Sequence, residues 1–170
     1  MKAAHLVEIV QALNGAGVRY LVVGGLAVNA HGFLRYTNDV DLVIQLDSAN
    51  LLTALRALAG LGYRPKHPVT AEQFADAGLR ESWIEGKDML VFPLWGDQRV
   101  ETPIDIFVRE PFDFETEWPK AVRGEVSEGV FAPFVALATL VALKRKAGRP
   151  QDLADLSQLR LIWGKDLPDE

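Results

Sequence analysis

The sequence predicts an α/β (α+β) protein in which a small mixed β-sheet is flanked by helices. Its 170 residues are enough to bury a core as one domain. Short apolar runs alternate with segments of helical periodicity along the N-terminal part of the chain. Two further apolar runs flank the turn Gly96-Asp97-Gln98, as in a β-hairpin. The order helix, strand, helix, strand, helix, hairpin, helices indicates a mixed sheet.

The N-terminal elements follow from apolar spacing and from residues that end or cap helices. They are a helix at 4–14, a buried strand at 20–25, a short helix at 26–33, a strand at 39–46 and a helix at 49–62. Gly15, Gly32 and Gly60 are predicted to end the three helices, and Asp47 or Ser48 is predicted to cap the third.

The C-terminal part is less regular. Residues 63–87 contain short strand and helix pieces with Thr70 as a helix cap, and residues 111–129 have the composition of a loop. Two helices are predicted at 133–148 and 151–163. We therefore expect a single domain spanning 1–170, with a sheet-containing core at 1–132 and helices packed alongside it at 133–170.

Composition excludes several classes of function. There is no cysteine, so neither a disulfide framework nor a thiolate zinc site can form. The net charge of −5 does not favour a large basic surface for nucleic acid, although a local cluster around Lys144 can still hold a phosphate. No apolar run is long enough to span a bilayer and the N-terminus does not resemble a signal peptide. A soluble cytoplasmic protein without a membrane partner is expected.

Three aspartates carry the strongest chemical signal. Asp39 and Asp41 enter a predicted strand, where alternation places both carboxylates on the same face. Asp105 lies between Ile104 and Ile106 in the second arm of the hairpin and points away from the core if the isoleucines point into it. Repulsion between such carboxylates is relieved by a cation, and Mg²⁺ prefers oxygen ligands. Solvated strand residues remain the alternative for each.

Gly24 and Gly25 lie between a predicted strand and a predicted helix. Glycines let the backbone approach a ligand closely, and the N–H groups at the start of a helix favour phosphate. A pair of glycines alone is most often a simple turn. Its position matters here, because the turn and the Asp39/Asp41 pair are expected at the same end of neighbouring strands.

The string G-G-x-A-x-x-x-H-G-x-x-R-x-T-x-D-x-D-L, from Gly24 to Leu42, and the later Asp105 resemble the DNA polymerase beta-like nucleotidyltransferase superfamily. Within it, the string is similar to the AbiEii/AbiGii-type toxin nucleotidyltransferases. The segment ALKRKAGRPQDLADLSQL resembles a helix–turn–helix of those proteins that packs beside the nucleotide site. The resemblance covers residues 19–46, 100–108 and 137–159.

The resemblance implies a nucleotidyltransferase fold and a role for each matched residue. Asp39, Asp41 and Asp105 become the catalytic carboxylates and the ligands of Mg²⁺. The nucleotide-binding residues that it implies are Gly24, Gly25, Arg35, Thr37 and Lys144. Roles for His31, Arg149, Asp152 and Asp155 stay open. The chain departs from many members in having Gly25 where they have a serine whose hydroxyl contacts phosphate.

The sequence thus favours a Mg²⁺-dependent enzyme that moves an NMP from an NTP to a hydroxyl of an acceptor. The acceptor is RNA (tRNA) or a partner protein, and a toxin–antitoxin system with a cognate partner is the implied context. The alternatives are a catalytically decayed nucleotide- or partner-binding module on the same fold, and a structural protein without a ligand. The tryptophans fit an interface or a core, and they are Trp83, Trp95, Trp118 and Trp163.

Overall fold

The computed structural model describes residues 1–168 as a seven-stranded sheet flanked by helices, which confirms the predicted fold class. The helices are α1 (Ala3–Gly15), α2 (Gly24–Ala30), α3 (Ser48–Gly60), α4 (Ala71–Ala75), α5 (Ala77–Lys87), α6 (Phe114–Glu117), α7 (Leu137–Ala147) and α8 (Pro150–Trp163). The strands are β1 (Tyr20–Val22), β2 (Val40–Ile44), β3 (Arg64–Pro65), β4 (Val91–Trp95), β5 (Ile104–Phe107), β6 (Val122–Ser127) and β7 (Val130–Phe134). Short 3₁₀ helices follow α6 and α8.

The sheet is mixed, with the strand order β3-β4-β5-β2-β1-β7-β6. β2 is its centre and pairs in parallel with β5 and antiparallel with β1. β4 and β5 form the predicted antiparallel hairpin, and β1 pairs in parallel with β7. The start of β2, the start of β5 and the end of β1 therefore lie at one end of the sheet, where the glycine turn and the aspartates are brought together.

The core forms on both faces of the central strands. All three residues of β1 are buried, as are Val40 and the residues from Leu42 to Ile44 in β2, which explains why these strands are continuous apolar runs. In α1 the predicted stripe is buried, and it consists of Leu6, Ile9, Val10 and Leu13. No helix in the described part of the chain is long and apolar enough to cross a membrane.

Two predicted caps are present. The Asp47 side chain accepts hydrogen bonds from the backbone N–H groups of Ala49 and Asn50 at the start of α3. Thr70 and Gln73 form a capping box that starts α4. These local bonds satisfy donors that the first helical turn leaves without partners.

The prediction of a loop over residues 111–129 is wrong. This region contains α6 and the edge strand β6, which pairs with β7. β6 alternates exposed and half-buried residues and includes Gly124, so it has no apolar run to mark it as a strand. The helix predicted at 133–148 starts later, at Leu137, because residues up to Phe134 belong to β7.

Candidate active site

The three predicted carboxylates lie together at the end of the sheet where β2 and β5 begin and β1 ends. Asp41 and Asp105 are direct partners in the parallel pair β2–β5, and Asp39 precedes Asp41 by one alternation. One ligand oxygen from each carboxylate lies within 4.8 Å of the others, and all three side chains are partly buried. Strand register thus converts two distant sequence motifs into one acidic cluster.

Burial and mutual repulsion make this cluster unfavourable when all three groups are ionised. Burial, followed by the charges of Asp39 and Asp105, raises the pKa of Asp41 to about 7. The pKa of Asp105 is also raised, first by burial and then by Asp39. A cation between the oxygens would relieve both effects. The donor set, made only of carboxylate oxygens, suits a hard divalent cation such as Mg²⁺.

Three cationic side chains surround the acidic cluster. Arg149 and Lys144 act on Asp41, and Lys66 acts on Asp105, each in the direction that lowers the pKa of the carboxyl. Arg149 and Lys144 belong to the C-terminal helices, whereas Lys66 follows β3 at one edge of the sheet. The positive charges near the cluster therefore come from two separate parts of the fold.

Gly24 brings the backbone directly against the acidic cluster. Its φ is +62°, and a Cβ built on it would lie 1.8 Å from Oδ2 of Asp41. The backbone N–H of Val23 also donates to the carbonyl oxygen of Asp41, at 3.0 Å. Both the backbone conformation and the lack of space require glycine here, so the turn and the aspartates form one site.

Gly25 is enclosed by the loop between α2 and β2. A Cβ on Gly25 would lie 2.7 Å from Oγ1 of Thr37 and 3.0 Å from Nη2 of Arg35. The Thr37 hydroxyl donates to Oδ1 of Asp39 at 3.1 Å. A serine at position 25 therefore does not fit beside Thr37, which gives a steric reason for the departure from the Gly-Ser turn. The Thr37 hydroxyl occupies that space and orients the Asp39 carboxylate through its hydrogen bond.

Arg35 and Lys144 share a buried carboxylate. Asp155 is fully buried and accepts from Nη2 of Arg35 at 2.9 Å and from Nζ of Lys144 at 2.7 Å, and its Oδ1 lies 2.7 Å from Nε of Arg35 as an ion pair. Burial alone would raise the pKa of Asp155, but the hydrogen bonds from Arg35, Lys144 and Gln151 lower it. This network fastens the loop before β2 to α7 and α8.

Asp152 links the same network to a more exposed cation. It accepts from Nζ of Lys144 at 2.9 Å and from Nε of Arg149 at 2.7 Å. The Lys144 side chain is 5% exposed, whereas that of Arg149 is 75% exposed. Of the cations on this side, Arg149 is thus the one most accessible to a ligand, while Lys144 is enclosed between two carboxylates.

His31 contacts backbone groups away from the carboxylates. Its Nε2 lies 2.8 Å from the carbonyl oxygen of Val135, and the indole N–H of Trp163 donates to the His31 carbonyl oxygen at 2.9 Å. The side chain is buried. These contacts connect α2 with the end of β7 and with α8, which is a packing arrangement.

Sequence reasoning missed Lys66 and left Arg149 without a role. Lys66 lies in a segment without clear periodicity. It comes close to Asp105 only because β3, β4 and β5 pair side by side, which the sequence does not reveal. The GRPQD sequence around Arg149 belongs to the segment that resembles the helix–turn–helix of the AbiEii/AbiGii-type proteins. The pairing of Arg149 with Asp152, three residues later, is a spacing that sequence could have suggested.

The sheet topology and the helices around it define a nucleotidyltransferase fold. The chain is similar to the solved structure of the antibiotic-resistance factor ANT(2″)-Ia, a nucleotidyltransferase, with a TM-score of 0.57 and 12% sequence identity over 97% of this chain and 88% of that chain. No protein-family model and no curated protein matches the sequence. At this identity the similarity shows the fold alone.

Proposed function

We propose that this protein is a Mg²⁺-dependent nucleotidyltransferase that moves an NMP from an NTP to a hydroxyl group of an acceptor. The observation that carries the proposal is the register of Asp41 with Asp105, which gathers three carboxylates beside a glycine turn. The occurrence of the same fold in a nucleotidyltransferase supports this reading.

Asp39, Asp41 and Asp105 would hold the metal, which when bound neutralises charge on the triphosphate and on the attacking and leaving oxygens. Thr37 keeps Asp39 oriented through its hydrogen bond. Gly24 and Gly25 let the chain approach the phosphates closely, and Arg149 supplies an accessible guanidinium on that side. Arg35 and Lys144 lie behind Arg149 and the turn, where Asp155 holds both in place.

Asp105 is assigned the role of general base. The acceptor hydroxyl gives its proton to the Asp105 carboxylate as its oxygen bonds to the α-phosphorus, the bond from the α-phosphorus to the bridging oxygen breaks, and pyrophosphate leaves. The Asp105 carboxylate lies on the accessible side of β5, where an acceptor hydroxyl can reach it. In-line displacement needs the triphosphate and the acceptor on opposite sides of the cluster.

For the acceptor and the biological setting, the motif resemblance supports RNA (tRNA) or a partner protein within a toxin–antitoxin system of the AbiEii/AbiGii type. The glycine turn, Arg35 to Leu42 and the C-terminal helix pair support this placement. A cognate toxin or antitoxin would then be the partner.

The test is transfer of label from each of the four α-³²P-labelled NTPs, with Mg²⁺, to bulk RNA or to proteins of a cell lysate. Asp41→Asn and Asp105→Asn should remove transfer while preserving the fold, and EDTA should do the same to the wild type. The matched control is Asp166→Asn, a carboxylate outside the site. Label transfer that survives in Asp105→Asn, or NTP binding with no transfer to any acceptor, would contradict the proposed activity.

A further inference from the structure

One half of the sheet presents a partly accessible face beside the acidic cluster. Buried and accessible side chains alternate along β4, where Phe92 and Leu94 are buried while Val91 and Pro93 are half-buried and Trp95 is exposed. β5 alternates in the same way, with Asp105 on the accessible side. We call this surface the open strand face and define it by Asp105, Pro93, Trp95, Arg64 and Lys66.

Strand register places these five side chains on the same side of the sheet. Asp105 is the direct partner of Pro93, and the backbone N–H of Lys66 donates to the carbonyl oxygen of Pro93 at 2.9 Å. Arg64 is the direct partner of Trp95, and its guanidinium carbon lies over that ring at 5.9 Å from the centroid. A row therefore runs from Lys66, which directly follows β3, through Pro93 on β4 and Asp105 on β5 to Asp41 on β2, and it ends at the acidic cluster.

Trp95 is the aromatic platform of this face. It is 41% exposed, which is unusual for the largest apolar side chain. It is the diagonal neighbour of Asp105 in the β4–β5 pair, a relationship that separates residues by about 7–8 Å. A ring stacked on Trp95 would therefore stand next to a group that reacts at Asp105.

The charge of the open strand face distinguishes between classes of acceptor. Lys66 is exposed and its ammonium is close enough to influence Asp105. Arg64 adds a second cation, which a surface contact with Asp97 partly neutralises. Two cations beside an exposed aromatic ring repel a polycationic acceptor and attract a phosphate. A single-stranded nucleic acid combines the two features that this surface recognises, a stacking base and a backbone phosphate.

We propose that the open strand face binds the 3′ end of a single-stranded nucleic acid, with a base on Trp95, a phosphate at Lys66 and the terminal hydroxyl at Asp105. This inference rests on the proposed function and names its acceptor class. The triphosphate then occupies the side of Gly24 and Arg149, and the acceptor arrives from the opposite side, as in-line transfer requires. The negative net charge of the chain is compatible with it because the attraction is local.

The first test is binding without NTP, measured by fluorescence anisotropy of 5′-labelled oligonucleotides of about twelve residues, a length within the 4–16 nucleotides that comparable single-strand sites occupy. RNA and DNA strands of the same sequence show which of the two nucleic acids the face binds. A blunt duplex, which has no single-stranded 3′ end, is the comparison. Trp95→Ala should weaken binding about 5- to 150-fold, the range expected for loss of one stacked base, and Trp95→Phe should restore much of it. Lys66→Gln should reduce the slope of log K against log salt by about 0.7, the value for one phosphate of a single strand.

Matched controls are Phe131→Ala, an exposed aromatic residue on β7, and Lys87→Gln, an exposed lysine at the end of α5. Both should bind like the wild type. Equal affinity of Trp95→Ala and the wild type, preference for the duplex, or a salt slope unchanged in Lys66→Gln would overturn the inference.

The second test separates this inference from the proposed function. Strands ending in a 3′ hydroxyl should gain one labelled nucleotide, whereas dideoxy-terminated strands should bind equally and gain none. If NTP-dependent labelling appears only on proteins, the proposed function stands and the acceptor assignment is wrong. If no labelling occurs at all, the proposed function fails, and the binding measurements on Trp95 and Lys66 still decide whether the face is a nucleic-acid site.

Discussion

Gly24 and Asp41 are in direct contact, since a Cβ on Gly24 would lie 1.8 Å from Oδ2 of Asp41. Only a residue without a side chain leaves that carboxylate oxygen in place. The contact is possible because β1 and β2 are antiparallel neighbours, with Val22 opposite Leu42, so that the end of one strand adjoins the start of the other. The glycine turn is therefore part of the geometry of the acidic cluster.

Gly24→Ala should lose metal and nucleotide binding together. The new methyl group must displace Asp41, and the positive φ adds strain of about 1–2 kcal/mol. The matched control is Gly129→Ala, because Gly129 also has a positive φ, +71°, but has no atom within 4 Å of an added Cβ. Thermal unfolding with and without Mg²⁺ and NTP gives the readout. Gly129→Ala should lose stability and keep the ligand-induced shift, and a preserved shift in Gly24→Ala would show that the contact does not matter for binding.

The pH dependence of the metal-free protein should reveal the strain in the acidic cluster. The pKa of Asp41 is raised from 3.8 to about 7 in the folded protein, so the folded state holds this proton more tightly than the unfolded chain. The resulting stability is fully present below about pH 4 and is lost as the pH rises through about 7. We expect this group to contribute a loss of roughly 2–4 kcal/mol in the free energy of unfolding between those limits.

Asp41→Asn isolates that contribution. In EDTA at pH 8 the variant should be more stable than the wild type, because the amide carries no charge into a buried site beside two carboxylates. Added Mg²⁺ should stabilise the wild type and have little effect on the variant. Denaturant unfolding at several pH values, compared between the two proteins, cancels the titration of other groups such as Asp155. A variant that is less stable than the wild type at pH 8 in EDTA would contradict the raised pKa.

The glycine at position 25 predicts a coupling between the turn and the loop before β2. Gly25→Ser should reduce stability and transfer activity, because the new Cβ would lie 2.7 Å from Oγ1 of Thr37. Thr37→Ala alone should also cost activity, since it removes the hydrogen bond that orients Asp39. The double variant should be less impaired than the sum of the two, by about 0.5–3 kcal/mol. Additive effects in a double-mutant cycle would show that the two positions do not share this space.

The sequence was informative where the signal is local or where strands are buried. Asp39 and Asp41 could be placed on one face of a strand from alternation alone, and Asp105 could be placed in a neighbouring hairpin because apolar runs flank its turn. β6 could not be found, because an edge strand that is exposed on one side carries no apolar run. Pairing across the chain was equally invisible, since Arg35 and Asp155 are 120 residues apart. The acidic cluster was therefore predictable, whereas the ion pairs between the charged side chains beside it were not.

Asp155 is predicted to be a positioning residue whose removal affects both stability and the site. Asp155→Asn leaves Arg35 and Lys144 without their shared buried carboxylate, and breaking a buried pair in this way costs about 3–5 kcal/mol. The matched control is Asp97→Asn, which breaks an exposed ion pair with Arg64 of a kind that contributes about 0–1 kcal/mol. Denaturant unfolding measures both differences. Asp155→Glu, which retains the charge, should recover part of the stability.

In the folded fraction of Asp155→Asn, the KM for NTP should rise more than kcat falls, because the loop carrying Arg35 and Thr37 is released while Asp41 and Asp105 stay paired in the sheet. A loss of stability no larger than that of Asp97→Asn would show that the buried network does not hold this loop.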